Sequence, residues 1–150
     1  MNTTRELKLV PIADLVPYVN NARTHSPEQI MKLRSSLREF GFINPVIIDR
    51  NNGVIAGHGR ILAAKEEGIK EVPCVYADHL TEAQKKAYIL ADNRLGELGE
   101  WDMELVAKEL LDLSEDGFNI DLTGFSIDDS FLDGEPVSDV VDKSMEDYLD

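Results

Sequence analysis

The chain has 150 residues, 43% hydrophobic and 29% charged, the proportions of an ordinary globular protein with room for one sizeable core. Its formal charge of −14 argues against bulk, sequence-independent DNA binding, which depends on lysine and arginine neutralising phosphates. The single cysteine, Cys74, excludes an internal disulfide; residues 1–8 carry no export segment and no run approaches the ~20 apolar residues of a membrane span, so a cytoplasmic chain with no membrane partner is expected.

The alternating run Leu7-Lys8-Leu9-Val10-Pro11-Ile12 predicts a first strand. Pro17, Asn20 and Asn21 make 14–25 a loop. Ser26-Pro27-Glu28-Gln29 marks a helix start: Ser26 caps, Pro27 takes the first helical position, and Gln29 reaches back to close a capping box. Ile30, Leu33, Leu37 and Phe40 continue at helical spacing as far as Gly41. The β-branched run 45–49 predicts a strand, Asn51-Asn52-Gly53 a hairpin turn, and 54–56 the returning strand. Gly57-His58-Gly59 breaks that strand, and 60–67 is a short helix stopped by Gly68. A strand over 72–76 follows; Pro73 points to a sheet edge, and Cys74 reads as a buried, inert thiol. Residues 81–93 predict a helix with a second capping-box pair, Thr81 and Gln84. Asp102 caps a last helix whose Met103, Val106, Leu110 and Leu113 form one apolar stripe, with Trp101 as a packing anchor before it.

The character of the chain changes after residue 113. Between 112 and 150, thirteen acidic residues face one lysine, Lys143, and carry −12 of the net charge, leaving −2 for the rest. The expected organisation is therefore a domain over 1–113 and an acidic extension over 114–150, irregular at first and disordered from 137 on. Solvation explains most such termini. Docking to a partner through Val140, Val141, Met145, Tyr148 and Leu149 is a second role, and folding back over a basic site to compete with nucleic acid is a third.

The informative unit is the succession of strand, glycine turn and helix over 52–67. Helix N-termini carry unsatisfied N–H groups and a partial positive charge, and glycines let a ligand approach the backbone. Such a turn accepts phosphate, and Arg60 in the first helical turn adds a charge-assisted hydrogen bond. The competing explanation is a tight turn with Arg60 on a solvated face. His58 reads as a general acid or base, a phosphate donor or a plain turn residue. His25, His58 and His79 show no metal-ligand spacing.

Asn21-Ala22-Arg23, the helix 33–41, Asn44-Pro45-Val46-Ile47-Ile48, Val54-Ile55-Ala56-Gly57-His58-Gly59-Arg60 and Val72-Pro73-Cys74-Val75 follow one another in an order that resembles the ParB/sulfiredoxin-like family. Leu90-Ala91-Asp92-Asn93-Arg94-Leu95 and Glu100-Trp101-Asp102 look like the ParB-like modules of phages and mobile elements, often found beside DNA methyltransferases. The resemblance implies an α+β fold, a small mixed β-sheet with about four helices, followed here by the acidic C-terminal tail. It also implies a nucleoside triphosphate, CTP or ATP, bound with magnesium. Gly57 and Arg60 match the family's phosphate turn, whereas His58 and Gly59 replace an acid and an arginine. Asp92 and Asn93 look like the metal- and triphosphate-holding motif, with Arg94 beside it and Arg23 as the loop arginine reaching over the site. A plain helix C-terminus capped by Asn93 and a solvated loop arginine are the competing explanations. With His58 in the turn and Cys74 elsewhere, sulfinic acid reduction is not expected.

These readings converge on a phage- or mobile-element-type accessory protein that binds nucleotide, and DNA as a further partner, through Gly57, His58, Gly59 and Arg60. One rival is a nucleotide-dependent kinase, NTPase or nuclease using His58 or Asp92. Another is a catalytically silent adaptor in DNA packaging or modification, working through its acidic tail. No basic recognition helix follows the domain, so centromere-type sequence reading is not expected.

Overall fold

The computed structural model of the chain describes residues 5–21 and 23–125. The expected disorder and partner docking of 137–150 lie outside them. Among the described residues, four strands and four helices follow the order β1 (Leu7–Pro11), α1 (Pro27–Phe40), β2 (Val46–Ile48), β3 (Val54–Ala56), α2 (His58–Glu66), β4 (Glu71–Tyr76), α3 (Glu82–Glu97) and α4 (Met103–Glu115). Short 3₁₀ turns sit at Ile12–Asp14 and Ile120–Thr123. The strands form one mixed sheet in the order β1-β4-β2-β3. β2 runs parallel to β4, while β1–β4 and β2–β3 are antiparallel.

One face of the sheet is the core. Val10, Val46, Ile48, Val54, Val72 and Cys74 meet Ile61 and Ala64 of α2, with Leu37 of α1 packed against them. Cys74 is fully buried and burial pushes its thiol up, the inert state its sequence context suggested. α1 and α2 pack together, and Arg34 of α1 joins Glu67 at 2.8 Å and Glu66 at 3.1 Å at the end of α2. On the other face Leu7 and Leu9 stand in solvent.

Pro73 lies in β4, between β1 and β2, and not at an edge. Ala77 N–H donates to Ile48 O, so odd-numbered residues beside it turn their main-chain groups toward β2. Pro73 shares that parity, but β2 begins only at Val46, opposite Cys74. Its missing donor falls before the ladder starts and nothing is lost.

The helix starts are sequence-coded. Ser26 Oγ accepts from Gln29 N–H at 3.0 Å, but the Gln29 side chain turns to His25 instead of closing the box. Thr81 and Gln84 close theirs in both directions. Asp102 caps α4, and Trp101 meets Phe125 edge-on at 5.1 Å. By its contacts the chain divides between Gly96 and Glu97, the sheet with α1, α2 and most of α3 forming the first unit.

Candidate functional site

The β2–β3 hairpin delivers the chain to the start of α2. Asp49 organises its tip: Oδ1 accepts from the N–H groups of Asn51 and Gly53, both at 2.8 Å, and Oδ2 meets Lys85 Nζ at 3.0 Å. Burial alone would raise the Asp49 carboxyl, but these bonds outweigh it and its pKa is lowered. Asn52 adopts φ 64°, the left-handed conformation such a turn requires.

α2 begins two residues earlier than the sequence suggested, at His58, with Gly57 as its left-handed N-cap at φ 111°. Both glycines have internal reasons. A Cβ on Gly57 would meet Arg60 Nη2 and Val46 Cγ2 at 3.1 Å; one on Gly59 would meet the His25 ring at 2.9 Å and Leu33 at 3.1 Å. The space expected to admit a ligand at the two α-carbons is taken by the protein itself. The amide hydrogens remain: among the described residues, none accepts from the N–H groups of His58, Gly59 or Arg60.

Arg60 does not lie on a solvated face. It folds back over Gly57, half-buried, and Nη2 donates to Pro45 O at 3.1 Å. Its Nε is buried with no hydrogen-bond partner. Burial lowers the guanidinium pKa, and the Asp92 charge opposes that from α3. No carboxylate among the described residues comes within ion-pair distance of Arg60. A half-buried cation with an orphaned donor beside three free helix N–H groups is a local excess of positive charge.

His58 Nε2 accepts the Tyr18 N–H at 3.2 Å, which assigns the ring proton of the neutral form to Nδ1. Burial first, and the nearby His25 second, hold its pKa below the usual histidine value. Its acceptor nitrogen is already engaged, so the neutral ring can donate but not take a proton there.

The structure gathers Gly57, His58, Gly59 and Arg60 and sets Asp92 against Arg60. Asp92 and Asn93 lie inside α3, so Asn93 is no C-terminal cap. Being consecutive in a helix, their side chains diverge: Asn93 Nδ2 donates back to Ile89 O at 2.9 Å, and Asp92 Oδ1 accepts from Tyr88 OH at 3.4 Å. Arg94 is an exposed residue of the same helix. Arg23 is held in the loop before α1, its N–H donating to Asn21 Oδ1. Among the described residues no three His, Cys, Asp or Glu side chains converge on a metal position. Sequence reasoning missed Tyr18 and His25, for which the residue order carries no signal except the helical spacing of His25 and Gln29.

Residues 1–93 match the ParB N-terminal domain. The chain belongs to that family. It is 45% identical over 85 residues to the ParB-like nuclease domain-containing protein YnaK of Escherichia coli (strain K12), spanning 55% of this chain and 98% of that protein. It is 34% identical over 80 residues to the probable chromosome-partitioning protein ParB of Vibrio cholerae, spanning 50% of this chain and 27% of that one. C-terminally truncated ParB of Caulobacter crescentus, solved with CTP-gamma-S, shares the fold with a TM-score of 0.66 at 20% identity, over 93% of this chain and 77% of that one. Among the described residues no helix is long and apolar enough to cross a membrane.

Proposed function

We propose that this ParB-family chain is a nucleotide-binding accessory protein whose phosphate site is the start of α2. The observation that carries the reading is Arg60, a half-buried cation with an orphaned Nε beside three unfilled helix N–H groups. A phosphate would supply the missing acceptors and the missing negative charge together. The N–H groups of His58, Gly59 and Arg60 would hold it, and His58 Nδ1 would donate a further hydrogen bond. Arg23 and Arg94 would neutralise outer phosphates. CTP with magnesium is the first candidate, because a ParB of the same fold has been solved with a CTP analogue; ATP is the second.

The residues present suit magnesium in part. The Asp92 carboxylate would hold it with phosphate oxygens and water completing the shell, while Asn93 turns back to its own helix. When bound, the ion would neutralise phosphate charge. His58 favours binding over catalysis, since its accepting nitrogen is engaged by Tyr18; this weakens the kinase, NTPase and nuclease readings that use His58 and leaves Asp92 as their candidate. The runs Leu90-Ala91-Asp92-Asn93-Arg94-Leu95 and Glu100-Trp101-Asp102 support a phage or mobile-element setting, with DNA or a DNA-modification or packaging protein as further partners.

Calorimetric titration with CTP, ATP and GTP in magnesium tests this. Arg60→Ala should lose about 1.5–3 kcal/mol of binding, roughly ten- to a hundredfold in affinity. Equal binding by both proteins, or no binding of any triphosphate by the wild type, rejects the site.

A further inference from the structure

The loop before α1 brings a second imidazole to the start of α2. A Cβ on Gly59 would meet His25 Cε1 at 2.9 Å and Nδ1 at 3.0 Å. In a helix the Cα–Cβ bond tilts toward the N-terminus. The His25 ring therefore lies on the side of Gly59 where the first N–H groups of α2 emerge. A charge on His25 is felt at His58. His58 is the titratable group that faces His25 from α2, while Gln29 and Leu33, both uncharged, adjoin it from α1. Among the described residues no carboxylate lies within ion-pair distance of either ring.

The two rings differ in what a proton costs them. His58 Nε2 accepts the Tyr18 N–H at 3.2 Å, so a proton on that nitrogen breaks a bond to the main chain. His25 Nδ1 lies 3.0 Å from Gln29 Oε1. An amide oxygen only accepts, so the neutral His25 ring carries its hydrogen on Nδ1 and its basic nitrogen is Nε2. A proton on Nε2 keeps the Gln29 bond and creates a charge-assisted donor. We infer that His25 is a further phosphate-binding residue of the α2 site, and that it takes up a proton on Nε2 as phosphate binds. The inference rests on the phosphate reading of that site. It gives the two imidazoles separate tasks: His58 donates from Nδ1 as a neutral ring, and His25 binds as a cation. Negative charge at the helix start favours the imidazolium form. Imidazoles ordinarily titrate near about 6.5, so the uptake falls close to neutral pH and makes binding pH-dependent.

Calorimetric titration of the full chain with the tightest-binding of CTP, ATP and GTP, at pH 7 in two buffers of different protonation enthalpy, counts the protons taken up. Saturating magnesium keeps the triphosphate ionised, so the count belongs to the protein. The wild type should take up part of a proton, and its affinity should fall about fivefold between pH 6.5 and pH 8. His25→Asn should bind without uptake and with a flat profile. His58→Gln should bind more weakly yet keep the uptake. On the wild type itself, nuclear magnetic resonance of the ring nitrogens should show His25 passing to the imidazolium form in the saturated complex while His58 stays neutral. No uptake by the wild type, unchanged uptake in a folded His25→Asn chain, or a His25 ring that stays neutral overturns the inference. If Arg60→Ala still weakens binding in that case, the phosphate site stands without His25; a wild type that binds no triphosphate removes both.

Discussion

Arg60 is where binding and stability pull against each other. A buried donor without an acceptor destabilises the chain that carries it. Arg60→Met keeps the length of the stem and removes the charge. It should raise stability by about 1 kcal/mol while weakening phosphate binding as much as Arg60→Ala does; chemical denaturation and a nucleotide titration on the same variant check both. A loss of stability would mean that the Pro45 hydrogen bond outweighs the orphaned Nε. His58 adds a pH dependence. Its folded pKa is lowered by burial and then by His25, so the unfolded chain takes up the proton first. The stability that neutral His58 contributes is full above the unfolded value of about 6.5 and is lost as pH falls through it toward the folded value. Urea denaturation across pH 5–8 should show this loss, and His58→Gln, which keeps an acceptor for Tyr18, should flatten it. The sequence pointed to both residues, but it gave Arg60 a solvated face as its alternative and left His58 with three roles. Where the two side chains lie depends on Tyr18 and Pro45, which are remote along the chain.

At the scale of elements, capping chemistry was the most legible because it is local. Ser26, Thr81 and Asp102 all cap the helices that follow them. Boundaries without a local stop signal moved: α2 starts at His58, and α3 runs on to Glu97 past Asn93. Gly59 looked like part of a turn because glycine disfavours helix, yet it lies in the first turn of α2, where His25 and Leu33 leave no room for a Cβ. Pro73 misled for a related reason. Proline marks a missing donor, and only the register of neighbouring strands says whether a donor was needed there. The hairpin shows the opposite case, since Asp49 supports its turn through contacts at both 51–53 and 85. Asp49→Ala should cost about 2 kcal/mol, measured by denaturant unfolding. Its lowered pKa means that its contribution is complete above the unfolded carboxyl value of about 4 and is lost as pH falls through the folded value.

For the whole molecule, the α+β class and the ParB family were readable from the order of motifs, each weak alone. Sheet order was less so, because parallel pairing of β2 with β4 depends on contacts far apart in sequence. The charge distribution makes a prediction at this scale. If the acidic terminus competes with phosphate for the α2 site, deleting 137–150 should strengthen nucleotide or DNA binding at low salt, and the gain should vanish as salt screens the charges. Unchanged affinity at low salt removes that role. The loop before α1 has a wider consequence. It is fastened beside the hairpin tip, where Val16 N–H donates to Asn52 O and Val54 N–H to Val16 O, and again at the far end of β3, where Tyr18 donates to His58. A surface segment that would ordinarily wander is stitched along a strand like a seam. Losing the Tyr18 bond to His58 would free one end of that seam while the Val16 bonds still pinned the other.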